Sequence, residues 1–242
     1  MPTVDLSVII PTYNEANRIG KTLEEIILYL RSRSGVAEII VVDDGSTDQT
    51  ITILQAFQKQ FDLKIIGLGR NQGKGAAIRA GMMAARGALR LFTDADQSTP
   101  ISDIEKLEQA IQSGADIAIG SRSLPDSDVI VPQPAHRGLI GKLFKTVVRR
   151  FYLPHIQDTQ CGFKLFTAAS VPRIFPLQQI ESMVFDVELL YLAQVQGLQI
   201  AEVPITWRNS TETRFRVTLL NALIVVRDLW RVQMHRALRS RS

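Results

Sequence analysis

The chain has one cysteine, three histidines and only 7% aromatic residues in 242. A lone cysteine, Cys161, can close no internal disulfide, so nothing here asks for an oxidising compartment. With no histidine partner implied by its surroundings, it reads as a packing residue rather than a nucleophile. His136, His155 and His235 lack the spacing of metal ligands. Uninterrupted apolar runs stop at four or five residues, as in Ala222 to Val226, far short of the ~20 needed to cross a bilayer. The first residues, MPTVDLSVII, have no basic leader and run straight into a strand-like stretch, so they do not read as a signal peptide. There is no internal repeat, and few aromatics accompany the arginines in the manner of a nucleic-acid binder.

What is present is a globular composition, 45% apolar and 21% charged. The net charge is +4, and it is unevenly placed. From Trp207 to Ser242 eight arginines face only Glu212 and Asp228, so this last part is strongly basic and the rest slightly acidic. Such a tail should meet something anionic.

The first half alternates. Leu6 to Ile10, Glu38 to Val42, Leu63 to Leu68, Ala88 to Phe92 and Asp116 to Ile119 read as short buried strands. Helical patterns lie between them near 17–33, 47–60, 73–86 and 102–113, the last with a Ser102/Glu105 capping-box pattern and Gly114 at its end. This alternation predicts an open α/β sheet with helices on both faces and a ligand site beyond the C-terminal strand ends. Further on, 123–135 reads as a loop. Helices are expected over 138–153, 182–196 and 218–238, and a strand over 198–207. We expect one main domain over 1–210, followed by a basic amphipathic helix and tail over 211–242.

The strand ends carry acids. Glu15 follows the first strand, Asp43 and Asp44 the second, Asp94 and Asp96 the fourth. Gathered at one sheet edge, five carboxylates would repel one another unless a cation sat among them. An Asp-x-Asp pair suits Mg²⁺ or Mn²⁺ carrying a diphosphate. The glycine-rich GLGRNQGKGA fails the P-loop spacing, because Gly75 stands where Ser or Thr would hold the metal. It reads instead as a loop into a helix N-terminus that brings Lys74 towards a phosphate.

The ordered set LSVIIPTYNE, EIIVVDDGSTDQT, RNQGKGAAIRAG, FTDADQSTP and IAIGSR resembles the family 2 inverting glycosyltransferases, whose fold is GT-A. DTQCGFKLF, FDVELLYLAQ and IAEVPITW resemble its dolichyl-phosphate β-glucosyltransferase branch and bacterial relatives of that branch. The resemblance implies an α/β GT-A fold, an open and mostly parallel sheet. It assigns Pro11, Tyr13 and Glu15 to the nucleobase and ribose, and Asp44 to the base. Asp94 and Asp96 become the metal pair, with Gln97 or Ser98 as a further metal contact. Arg122 and Arg137 approach the phosphates of donor or acceptor, so Asp96, Arg122 and Arg137 are the expected catalytic residues. An arginine that mannosyl relatives carry after the VPI strand is Ser210 here, leaving Arg208, Arg214 or Arg216 to replace it. Eukaryotic relatives open with a membrane-spanning helix, and the expectation is that this protein does without one.

The implied reaction moves glucose from a UDP-sugar to a polyprenyl (dolichyl or undecaprenyl) monophosphate, with inversion to a β-linked product. A phosphate acceptor, with a second pKa of ~6, is already anionic and needs no protein base. The alternative is a soluble or glycan hydroxyl acceptor, which does need one, and Asp186 is the carboxylate to watch. Two segments read as interfacial helices. Residues 137–153 carry Arg137, Lys142, Lys145, Arg149 and Arg150 with no acid, and 218–238 place arginines towards their end. The expectation is a peripheral enzyme on the cytoplasmic face of a membrane, touching anionic lipid.

Overall fold

The computed structural model describes residues 4–130, 135–208 and 219–234, and of these 135–140, 142 and 219–222 by backbone alone. Its centre is a seven-stranded sheet. Strands β1 (Leu6–Thr12), β2 (Ala37–Asp43), β3 (Leu63–Gly67), β4 (Leu89–Thr93) and β5 (Ile117–Ser121) fall where the apolar runs predict them. Each is a near-continuous apolar stretch because both sheet faces are covered. In β1, Ile9 packs into one core while Leu6, Val8 and Ile10 pack into the other.

Helices α1 (Ile19–Ser32), α2 (Thr50–Gln58) and α4 (Ile104–Gln112) cover one face through Ile19, Leu23, Ile26, Leu54, Ile104 and Leu107. Helix α3 (Lys74–Ala84) covers the other with small residues, joined by α5 (Ala135–Phe151), a short α6 (Val171–Ile174), α7 (Phe185–Val195) and α8 (Leu219–Met234). Phe92, Phe166, Phe175 and Phe185 form a chain of ring contacts through this second core. Burying such side chains contributes roughly 1.5–3 kcal/mol each.

The strand order is β3-β2-β1-β4-β7-β5-β8, where β7 is Phe163–Thr167 and β8 is Ile200–Pro204. Strand β7, which the periodicity did not predict, runs antiparallel between β4 and β5, opposing Phe163 to Thr93. Its reversed direction brings its N-terminal end to the edge where β1, β2, β4 and β5 finish. The segment 157–162 therefore enters the crevice from the opposite sense to every other loop there.

Two local expectations change. Ser102 does not cap α4: Ile101–Asp103 forms a 3₁₀ turn, α4 starts at Ile104 with no side-chain cap, and Glu105 accepts a hydrogen bond from Tyr29 instead. The strand expected over 198–207 divides at Pro204, beyond which β9 (Thr206–Trp207) pairs with β6 (Asp128–Val129) in a separate ribbon. The boundary expected at 210 lies outside the described residues. Helix α8 beyond it docks on the body, burying Leu229 and Val232, with the Tyr152 hydroxyl donating to the Leu229 carbonyl at 2.9 Å.

Candidate active site

The parallel register sets Thr12 beside Asp43, and Asp43 beside Gly67, at the C-terminal edge. Pro11 is buried inside β1, and Tyr13 beyond it is 37% exposed. Asn14 takes a left-handed backbone (φ 55°), a conformation asparagine tolerates. Its side-chain oxygen accepts from the Thr47 amide at 2.7 Å, and its own amide donates to Ser46 Oγ at 2.8 Å. These bonds staple the loop after β1 to the loop after β2. Glu15 is ion-paired with Arg18, whose Nη2 lies 2.9 Å from Oε1.

Asp43 folds its own turn, with Oδ2 accepting the amides of Gly45 and Ser46, while its buried Oδ1 has no partner among the described residues. Asp44 accepts the Gln72 amide at 2.7 Å on one oxygen and the Gly73 amide at 2.9 Å on the other. It thereby clamps the glycine-rich loop to the end of β2. Both lone-pair faces used are engaged by backbone, a role the resemblance did not suggest.

Asp94 donates its backbone amide to the Gly162 carbonyl at 3.1 Å, and its carboxylate meets Lys74 Nζ at 2.5 Å. Asp96 accepts the Ser98 amide at 3.0 Å. Between them the Ala95 carbonyl is pinned by the Thr22 hydroxyl at 2.6 Å. Gln97 is held at φ 51°, and its buried Nε2 has no partner among the described residues. Such strain and an orphaned donor are features of ligand clamps.

The expectation of five carboxylates awaiting one cation needs correction. Each has its own compensation: Arg18 for Glu15, backbone amides for Asp43, Asp44 and Asp96, and Lys74 for Asp94. Among the described residues no group of three or more Asp, Glu, His or Cys comes together as a metal cage. The residues still fit a divalent ion. Mg²⁺ is commonly held by one or two carboxylates plus substrate phosphates, so Asp94 and Asp96 form a sufficient protein share. Half-exposed carboxylates and the cradle left by Gly162 give that share room.

Beneath Asp94 lies a pair that periodicity alone could not reveal. Lys164 is completely buried in β7, 2.5 Å from Asp186 Oδ1, 2.5 Å from the Cys161 carbonyl and 5.1 Å from the Phe92 ring centroid. Burial raises the Asp186 pKa, Lys164 and Lys74 pull it back, and the balance stays above the usual carboxylate value. Asp186, the base a hydroxyl acceptor would need, is thus committed to an ion pair. Cys161 is buried as expected, and burial pushes its thiol up to about 11.

Arg122, just after β5, is held bidentate by Asp158: Nε to Oδ2 at 2.6 Å and Nη2 to Oδ1 at 2.8 Å. Its guanidinium carbon lies 5.4 Å from the Trp207 ring centroid. Asp158 has no exposed surface; burial works against its charge, but Arg122 dominates and holds its carboxyl well below the usual range. The DTQCGFK segment was the signal for Asp158 and Lys164, although nothing in it named their partners. Arg137 lies in α5, with its side chain outside the described residues, as are Ser210, Arg214 and Arg216 altogether. Arg208 donates its amide to the Ser98 carbonyl at 2.8 Å, which ties the segment after β9 to the Asp94–Ser98 turn. Next to Arg122, a cavity of about 510 Å³ is lined by Ser123, Lys145, Thr146, Arg149, Arg150 and Gln157, among others.

An open sheet with acidic strand ends along one edge and a reversed strand feeding that edge is the GT-A layout of glycosyltransferases. Residues 7–175 match the family model for glycosyl transferase family 2. The chain belongs to that family and is a glycosyltransferase. Its relatives include the dolichyl-phosphate beta-glucosyltransferase of Drosophila melanogaster, 39% identical over 85% of this chain and 68% of the relative. That of Saccharomyces cerevisiae is 38% identical over 95% and 74%, and that of Homo sapiens 38% over 85% and 68%. The fold is shared with glucosyl-3-phosphoglycerate synthase from Mycobacterium tuberculosis. Its complex with Mn²⁺, UDP-glucose and phosphoglyceric acid aligns at TM-score 0.69 and 19% identity, covering 96% of this chain and 79% of that one. Its complex with Mg²⁺ and UDP aligns at 0.66 and 18%, covering 91% and 74%.

Proposed function

We propose that this glycosyltransferase moves glucose from UDP-glucose to a polyprenyl monophosphate, with Mg²⁺ or Mn²⁺, giving a β-linked polyprenyl-phosphate sugar. The relatives named above support the acceptor class and the sugar, and the metal complexes of the fold neighbour support the cofactor. The observation that carries the reading is the ion pair of Asp186 with Lys164. With Asp186 so committed, the site suits an acceptor that arrives already ionised.

Each residue then has a task. The stapled loops around Tyr13, Asn14 and Glu15 border the nucleoside. Asp44 orders the amides of the glycine-rich loop beside the diphosphate. Asp94 and Asp96 hold the divalent ion, which supplies charge neutralisation on the departing UDP. Arg122, oriented by Asp158, serves the acceptor phosphate, and Arg137 is the second arginine assigned to that role. A fixed, desolvated guanidinium costs no reorganisation when charge shifts during transfer.

The acceptor's tail calls for a membrane surface. No helix among the described residues is long and apolar enough to span a bilayer. Helix α5 exposes Leu143 and Phe151 beside Arg149 and Arg150. Helix α8 turns Leu223, Val226, Trp230 and Met234 outwards while Leu229 and Val232 face the core. Apolar residues with basic neighbours on packed helices suit peripheral contact with anionic lipid at the cytoplasmic face.

The test is a transfer assay with radiolabelled UDP-glucose, Mn²⁺ or Mg²⁺ and undecaprenyl or dolichyl phosphate in detergent. An acid-labile labelled lipid is the expected product. UDP release only on addition of a sugar hydroxyl would overturn the reading.

A further inference from the structure

Lys74 is the one charged group at the Asp94 carboxylate to which the function above gives no task. It is the first residue of α3, and its backbone is held firmly. Gly73 before it has φ 108° and lies so close to Glu181 that a Cβ would sit 2.4 Å from the carbonyl oxygen. The Gly73 amide donates to Asp44, and the Gly75 amide donates to the Glu181 carbonyl at 3.0 Å. The side chain is less confined, with 37% of its surface exposed. Its Nζ is 2.5 Å from Asp94 Oδ1 and 5.9 Å from the Phe185 ring centroid.

The charges around it alternate. Asp94 pairs with Lys74, and Asp186, which also attracts Lys74, pairs with the fully buried Lys164. Asp94 is in direct contact with the Lys74 ammonium, and Asp186 and Asp96 lie near enough to attract it. Lys74 thus stands as a cation on the carboxylate that the metal is to take.

We propose that Lys74 is a placeholder cation for Asp94, which gives way to a divalent ion only when a diphosphate arrives to receive the ammonium. The proposal rests on the reading of Asp94 and Asp96 as the metal pair. Two cations on one carboxylate repel each other, so a free metal ion must displace Lys74. Of the acids that attract it, the one outside the metal pair is Asp186, already neutralised by Lys164. A diphosphate brings its own negative charge within reach of the lysine stem, whose compact ammonium can swing where a rigid guanidinium fork could not. Metal and donor therefore promote each other's binding, and the effect is reciprocal. The glycine-rich loop, clamped by Asp44, supplies the fixed base from which Lys74 turns.

The test measures Mn²⁺ binding without turnover, by the electron paramagnetic resonance of free Mn²⁺, with and without UDP. Wild type should bind Mn²⁺ weakly alone and tightly with UDP. Lys74→Met should bind Mn²⁺ alone about tenfold more tightly, a typical coupling factor, and its gain from UDP should shrink by about the same factor. Lys74→Gln should behave like the methionine variant and guards against a folding defect in either, which thermal unfolding reports. Lys74→Arg should keep Mn²⁺ binding weak in the absence of UDP. Wild type that binds no Mn²⁺ even with UDP would overturn the metal pair itself. Wild type that binds with UDP, beside Lys74→Met and Lys74→Gln that are folded but no tighter without it, overturns the placeholder and leaves the metal pair standing.

Discussion

Gly162 lies against the Asp94 carboxylate so closely that a Cβ at position 162 would fall 2.1 Å from Oδ2. The contact is made because β7 runs against its neighbours and delivers its first residues to the edge where β4 ends. The Asp94 amide also donates to the Gly162 carbonyl, so backbone and side chain of the same aspartate are set by one glycine. Gly162→Ala must move Asp94, and a misplacement near 1 Å costs about 10²-fold in rate. We expect kcat to fall by about that factor while the melting temperature shifts little, because the displaced carboxylate faces a half-open crevice. Wild-type kcat in Gly162→Ala would remove Asp94 from the reacting centre.

The Arg122–Asp158 pair ties stability to pH. Arg122 depresses the folded-state pKa of Asp158 below its unfolded value of ~3.9. As pH falls through ~4 the unfolded chain takes up the proton first, so this stabilisation is full above about pH 5 and is lost progressively in acid. Asp158→Asn leaves Arg122 without its charge partner and should cost about 3–5 kcal/mol at pH 7. Urea unfolding between pH 7 and 3 should show the gap between wild type and variant narrowing towards pH 3. A constant gap would mean that Asp158 is not the titrating partner.

These two contacts also mark where sequence reading stops. Strands β1, β2 and β4 were legible because runs such as Leu6 to Ile10 are buried on both sheet faces and leave no other assignment. The acids at their ends were legible for the same reason. Strand β7 was not. Lys164 interrupts its apolar pattern, and a lysine in a strand centre looks exposed until Asp186, 22 residues away, is known to be its partner. The same holds for the five acids: their number was readable, but Arg18 and Lys74 as individual counter-ions depend on the fold. Ser102 misled because a 3₁₀ turn took up the residues that a capping box would have used.

Asp96 offers a cleaner probe of the metal than Asp94, since its hydrogen bond is local, accepted from the Ser98 amide. Asp96→Ala should abolish metal-dependent turnover with a stability change within about 0.5 kcal/mol, as is usual for a partly exposed surface substitution. Mn²⁺ titration with UDP present should show the loss of binding directly. Full activity in that variant would remove Asp96 from the metal pair.

The outward face of α8 separates membrane contact from folding. Removing the whole helix would strip Leu229 and Val232 from the core and the Tyr152 bond with them, so a truncation reads both effects at once. Arg149 and Arg150, exposed on α5, and Trp230, 62% exposed on α8, can be changed without opening the core. Clustered basic residues near anionic lipid contribute about 1 kcal/mol each. Arg149→Gln with Arg150→Gln should therefore weaken binding to phosphatidylserine-containing vesicles by about thirtyfold at low salt, and far less at 1 M, where screening is strong. Trp230→Glu should weaken it at both ionic strengths, because its share is apolar insertion rather than charge. Vesicle sedimentation measures both. Unchanged partitioning for the arginine pair and for Trp230→Glu, in proteins with wild-type melting temperatures, would mean that this face does not touch lipid.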